Sequence, residues 1–145
     1  MPQDEIKTVI RSFREAVSSS DVEKVLSLFA DDATFVRPEG TFKGREEIKR
    51  SFVWLLGHYS EFTLNEIDLI VTVDKAVLEF LAEGTTTDGM KHRLPGVLAF
   101  HFRNGKIEEV HDYYDRLLTV QQMTKGWIAK RIVSYVVSRT EEGLH

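Results

Sequence analysis

Asn104-Gly-Lys-Ile-Glu-Glu-Val-His-Asp-Tyr-Tyr-Asp115 reads as a tight turn followed by a strand. An Asn-Gly pair suits a two-residue hairpin because both central residues take positive φ. Beyond it, Ile107 to Tyr114 alternates. Val110, Asp112 and Tyr114 fall on one face, and His111, Tyr113 and Asp115 on the other. An acid among aromatic residues on a strand has two readings. It is a structural carboxylate held by a cation or backbone amides, or it is a catalytic one.

Upstream of this turn the apolar period is also two. His92 to Phe102 reads as a strand interrupted at Pro95-Gly96, where a bulge or bend is expected. Asp88-Gly89 is a second hairpin signal, joining it to a strand over Ala76 to Thr86. Val73-Asp74-Lys75 turns back to a strand over Phe62 to Val71. Two of these strands are apolar on both faces. Val77 and Leu81 alternate with Leu78, Phe80 and Ala82, and Val97 and Ala99 with Leu98 and Phe100. One face can pack on helices. The other needs a cover, and the simplest is a second copy of the chain, so a homodimer through the outer sheet face is expected.

The N-terminal part follows a helical period. Ile6, Val9, Ile10, Phe13 and Val17 form one apolar stripe, broken at Ser18-Ser-Ser-Asp21. Ser20 with Glu23 reads as a capping box for a short helix carrying Val22, Val25, Leu26 and Phe29. Asp31-Asp32 is expected to end it, with a short strand over Ala33 to Arg37 and a turn at Pro38-Glu-Gly40. Gly44 precedes a third helix with the stripe Ile48, Phe52, Leu55, Leu56 and Tyr59.

With 145 residues the chain is one domain by size. A net charge of −4 disfavours nucleic acid as a partner. The absence of cysteine excludes disulfides and thiol chemistry. No apolar run is long enough for a membrane span, and the N-terminus has no signal-peptide pattern, so a cytoplasmic protein is expected. His58, His101 and His111 are isolated and no two histidines have helical ligand spacing, so no metal site is expected.

Leu28-Phe-Ala-Asp-Asp-Ala-Thr-Phe35, Gly44-Arg-Glu-Glu-Ile48 and Gly105-Lys-Ile107 followed by Asp112 and Asp115 resemble the SnoaL-like branch of the nuclear transport factor 2-like superfamily. The resemblance runs from about Ile6 to Gln122. It implies an α+β fold: a cone-shaped, curved antiparallel sheet with three N-terminal helices on its concave face. Residues 1–122 would form that domain. Residues 123–145 would be a C-terminal extension packed on it or on its dimer. Gly126 divides this tail. Trp127, Ile128, Ile132, Val133, Tyr135, Val136 and Val137 interleave there with Lys125, Lys130, Arg131 and Arg139. A helix on the dimer or over the pocket is expected, although the β-branched run Ile132 to Val137 also suits a strand. A basic amphipathic segment can equally contact a partner or a membrane surface.

The superfamily's chemistries can be tested on their own positions. The three groups of the ketosteroid isomerases would fall on Phe13, Arg37 and Leu98 or Ala99, none of which matches. The Arg-x-Asp pair of limonene-type epoxide hydrolases would fall near Phe80 and Ala82, both apolar. The resemblance to SnoaL-type polyketide cyclases keeps the acid, as Asp112, and the downstream Leu117 to Gln122. Their histidine would fall near Leu98 and is missing. Asp112 is thus the candidate acid/base, with Arg37 or Tyr114 assisting. Burial would raise its pKa, whereas Arg37, if in reach, would hold it ionised. Phe35, Trp54, Tyr59, Phe80, Leu94, Leu98 and Phe100 would line an apolar pocket, with His92 near its mouth. These features fit a cofactor-independent enzyme acting on a small apolar molecule, as an isomerase, cyclase or hydratase. They also fit a non-catalytic ligand-binding or assembly domain of the same fold.

Overall fold

The computed structural model describes residues 1–145. Five helices and six strands follow in the order α1 (Gln3–Ser18), α2 (Val22–Ser27), β1 (Phe29–Arg37), β2 (Gly40–Lys43), α3 (Gly44–Gly57), β3 (Tyr59–Val71), β4 (Lys75–Thr86), β5 (Lys91–Arg103), β6 (Lys106–Tyr114), α4 (Arg116–Met123) and α5 (Trp127–Thr140). The strands form one curved, unclosed sheet in the order β2-β1-β6-β5-β4-β3. The fold is the α+β cone architecture, with the first helices laid on the inner face of the sheet. The sheet is antiparallel except that β1 runs parallel to β6.

Residues at helical spacing account for the first layer. Ile6, Ile10, Phe13 and Val17 of α1 are all buried, and Asp4 and Glu5 in its first turn complement the helix dipole. Ser20, at φ 58°, ends the helix. The cap of α2 differs from the expected box. Asp21, rather than Ser20, accepts from the Lys24 N–H, because Ser20 is committed to the left-handed turn.

Strand β1 also begins earlier than the two acids suggest. Phe29 is a strand residue paired with Ile107, and the ladder shifts register between Phe29 and Thr34. That irregularity takes Asp31 and Asp32 out to solvent, where they pair with Arg45 and Arg103 at 2.9 and 2.5 Å. Strand β2 is only four residues long, with Phe42 turned towards the core, and is joined to β1 by the Pro38-Glu39 turn. Tyr59 opens β3 rather than closing α3.

No bulge occurs at Pro95-Gly96. Pro95 pairs with Leu81 and Gly96 with Phe80 in regular register along β4. The β6 ladder stops at Gly96–Tyr114, so Pro95 lies just beyond its end. Glycine at 96 has a packing cause. A Cβ there would lie 2.4 Å from the Phe80 ring and 2.7 Å from the Tyr113 carbonyl oxygen. The irregularity in β5 falls instead between His101 and Phe102.

The core is continuous between α1, α3 and the sheet. Phe13, Phe29, Phe35, Phe52 and Phe100 meet at its centre with ring centroids 5.3–6.3 Å apart, mostly edge to face. Three of these rings, Phe13, Phe35 and Phe52, also face the cavity above them.

The tail is helical, including Ile132 to Val137. Gly126, at φ 83°, provides the break before α5. Helix α4 spans the point, after Gln122, where an extension was expected to start. Its Gln122 side chain accepts from the Arg93 N–H at 2.9 Å and donates to the Arg93 carbonyl at 2.8 Å. The amide thereby occupies the backbone edge of β5 beyond the end of β6. Helix α5 buries none of its residues. Trp127, Ile128, Ile132 and Tyr135 are each at least 60% exposed. No helix is long and apolar enough to cross a membrane.

Candidate active site

A cavity of about 260 Å³ opens at the wide end of the cone, and 16 of its 22 lining residues are hydrophobic. Its floor includes Phe13, Phe35 and Phe52. The sheet contributes Phe80, Leu94 and Leu98, and α3 and β3 add Trp54, Leu55, Tyr59 and Phe62. Helix α4 forms the roof through Thr119, Val120 and Met123.

The pleat of β6 turns Val110, Asp112 and Tyr114 inward. Val110 enters the core, and Asp112 and Tyr114 reach the cavity wall. The residue opposite Asp112 on β5 is Leu98. The acid therefore has an apolar neighbour where a polar partner would stand, and its cation comes from β1. Arg37 is only 6% exposed. Its Nε lies 3.7 Å from Asp112 Oδ2 and 3.4 Å from Glu39 Oε2. Its Nη1 donates to the Ser51 hydroxyl at 3.1 Å, and its guanidinium carbon lies 5.6 and 5.9 Å from the Phe35 and Trp54 rings.

Two carboxylates thus share one guanidinium nitrogen, and neither makes a hydrogen bond to it. Asp112 Oδ1 is buried with no hydrogen-bond partner. Burial pushes the Asp112 pKa from its ordinary 3.8 up to about 6, Arg37 opposes the rise and Glu39 adds to it. Arg37 is in reach of Asp112 and favours its ionised form, but less than burial disfavours it. At 3.7 Å without a hydrogen bond, and divided between two acids, the guanidinium recovers less than desolvation removes. The result is a carboxyl group that changes protonation close to neutrality.

Glu39 was invisible to the strand and helix periods. Its position follows from the two-residue turn Arg37-Pro38-Glu39-Gly40, which pairs Arg37 with Gly40 and folds the third residue back beside the first. Arg116, His58 and the roof of α4 were also missed. His58, read as isolated, stands at the rim and bonds the Trp54 carbonyl through Nδ1 at 2.6 Å. An i, i+4 bond to a helix carbonyl was the available signal.

Of the residues expected on the wall, Phe35, Trp54, Tyr59, Phe80, Leu94 and Leu98 are there, together with Asp112, Arg37 and Tyr114. Phe100 and His92 are not. Phe100 belongs to the phenylalanine centre beneath the cavity, stacked on Phe102 and edge-on to Phe13. His92 lies behind the wall, 2% exposed, with Nδ1 3.0 Å from the Tyr59 hydroxyl. Burial lowers its pKa, and Asp88 partly opposes this. No three histidine or acidic side chains converge as a metal-binding group.

The sequence from residue 10 to residue 110 matches the SnoaL-like domain family. Among solved structures, a protein of unknown function with the nuclear transport factor 2-like fold from Burkholderia pseudomallei K96243 is 22% identical, at a TM-score of 0.75 over 83% of this chain and 98% of its own. A hypothetical protein of ketosteroid isomerase-like fold from Catenulispora acidiphila DSM 44928, solved with trimethylamine, is 20% identical, at a TM-score of 0.72 over 79% of this chain and 90% of its own. TerC, co-crystallised with polyporic acid, is 23% identical, at a TM-score of 0.73 over 81% of this chain and 96% of its own. At these identities the likeness establishes the fold. No curated protein matches the sequence.

Proposed function

The chain belongs to the SnoaL-like domain family, and from that membership we propose an enzyme that moves a proton on a small, mainly apolar molecule, with Asp112 as general acid/base. The observation that carries this reading is the state of Asp112. It is an unpartnered carboxyl oxygen in an apolar cavity, with a pKa of about 6. Proton transfer is most effective when the donor titrates near the working pH. Arg37 stabilises the ionised form enough for it to act as a base, and Tyr114 shapes the wall beside it. The reaction is an isomerisation, cyclisation or hydration that the carboxyl group performs without an organic cofactor or metal.

The working form is a homodimer through the outer sheet face. Exposed Val77 and Tyr113 with half-buried Leu81, Val97 and Ala99 supply its apolar centre. The test of the catalytic reading is Asp112→Asn against a panel of small enones and cyclic ethers. A substrate turned over by the wild type is expected to be untouched by the folded variant. Full retention of turnover would make the acid structural. A second reading, an assembly or ligand-binding domain, is supported by α5, whose apolar residues cover nothing in this chain.

A further inference from the structure

Around Arg37 the cavity holds more hydrogen-bond acceptors than donors. Asp112 Oδ1 and Glu39 Oε2 are enclosed and accept nothing. Both acids nevertheless line the cavity, with 11% and 19% of their side chains exposed. Their other oxygens, Oδ2 of Asp112 and Oε1 of Glu39, are the reachable ones, and no group of the chain donates to either. The cation between the two acids is already committed. Arg37 is buried, gives Nη1 to Ser51 and lies against the Phe35 and Trp54 rings.

The charges point the same way. One guanidinium stands between two carboxylates, so an ionised Asp112 leaves a surplus negative charge at this end of the cavity. His58, Tyr59, Tyr114 and Arg116 are the other titratable groups of the lining, and His58 and Arg116 are exposed. The charges that act on Asp112 are those of Arg37 and Glu39. A ligand anion would meet two carboxylates before it met the buried guanidinium. A hydroxyl would satisfy one acceptor and leave the surplus charge unanswered. An ammonium group supplies N–H donors and positive charge together. Phe52, Phe62, Phe80 and Tyr114 offer apolar surface to the rest of such a molecule, and aromatic faces attract a cation.

We propose that the cavity takes small, mainly hydrocarbon amines in their protonated form, with the ammonium group donating to Asp112 Oδ2, Glu39 supplying the second negative charge and the aromatic wall enclosing the carbon skeleton. The proposal rests on the reading of the cavity as a substrate site. At about 260 Å³ the space suits a one-ring molecule. Binding is coupled to the protonation of Asp112. An ammonium beside the carboxyl group favours its ionised form, so the pKa falls from about 6 when the site fills. Below pH 6 the ligand must expel a proton from Asp112, and affinity drops. Above pH 7 the acid is already ionised, and affinity levels off.

The test is titration calorimetry of the full chain with benzylamine, benzyl alcohol and benzoate, three ring compounds of similar size and different charge. Near pH 7 the protonated benzylamine is expected to bind about tenfold more tightly than the alcohol, and benzoate not at all. Its affinity is expected to fall about tenfold between pH 7 and pH 5, with about half a proton released per ligand at pH 6. Asp112→Asn is expected to remove both the preference for the amine and the pH dependence, and to leave benzyl alcohol unchanged. Glu39→Gln is expected to weaken the amine and move the pH profile lower, since Glu39 pushes the Asp112 pKa up. No binding of benzylamine, equal affinity for the alcohol, tighter binding of benzoate or a flat pH profile overturns the proposal. Absent amine binding with turnover of a neutral substrate lost in Asp112→Asn would sink this inference alone. Amine binding as described with turnover retained in Asp112→Asn would sink the catalytic reading instead.

Discussion

Arg37 approaches Asp112 to 3.7 Å yet makes its hydrogen bond to Ser51. The guanidinium is held by a neutral hydroxyl and stands as an unattached charge between two acids. This separates its two effects, one on the architecture and one on the acid.

Arg37→Met tests both. Ser51, itself buried, loses its donor, and Glu39 and Asp112 lose their shared cation. A stability loss of about 1–3 kcal/mol is expected from the orphaned polar groups. The Asp112 pKa is expected to move above its present value of about 6, since the one opposing influence is removed. Carbon-13 NMR titration of the Asp112 carboxyl reads this directly, and a lower value would contradict the arrangement.

Asp112→Asn has a stability consequence with a definite sign. The folded-state pKa of Asp112 is raised, so the folded chain holds its proton where the unfolded chain has released it. Between the unfolded value near 3.8 and about 6, the wild type loses stability as pH rises. The neutral amide does not titrate. The variant is expected to match the wild type near pH 4 and to exceed it by up to about 3 kcal/mol at neutral pH. Urea melts at the two pH values check this, and a variant less stable at neutral pH would mean that Arg37 outweighs burial.

Gly96→Ala is expected to destabilise the fold by about 1–3 kcal/mol through overpacking. Its Cβ meets a ring that can turn and a carbonyl oxygen that cannot. Adding Phe80→Leu relieves only the first contact. A double-mutant cycle should therefore recover part of the loss.

Removing residues 127–145 is expected to leave the melting temperature within about 3 °C, because α5 buries none of its residues. Differential scanning calorimetry checks this, with sedimentation to follow association. A larger drop accompanied by loss of the dimer would place α5 in the subunit contact.

Much of this was legible before any coordinates. The direction of Asp112 and Tyr114 is a matter of strand period, and the helix faces of α1 and α3 follow theirs. What escaped depends on contacts between elements. The acids at 31 and 32 resemble a stop signal, and only their distant partners Arg45 and Arg103 show why β1 runs through them. Pro95-Gly96 looks like a break, and only the nearby Phe80 ring shows why glycine sits in a regular ladder. His92 alternates correctly on its strand, but no period reveals that Tyr59 stands between it and the cavity. The roof residues of α4 depend on where that helix crosses the sheet, which its own sequence does not encode.

The amide of Gln122 on the backbone of Arg93 bears on how a guest molecule reaches Asp112. Helix α4 has no fully buried residue, and this paired amide is the part of its anchorage made to a strand backbone. Two solvent-side bonds of that kind are worth about 1 kcal/mol each. Parting α4 from β5 is expected to break this amide pair together with the Leu118 packing and the Lys125–Asp88 ion pair, at less than the global unfolding free energy. The Arg93 backbone N–H, which this pairing protects, is the natural reporter of such an opening in hydrogen exchange.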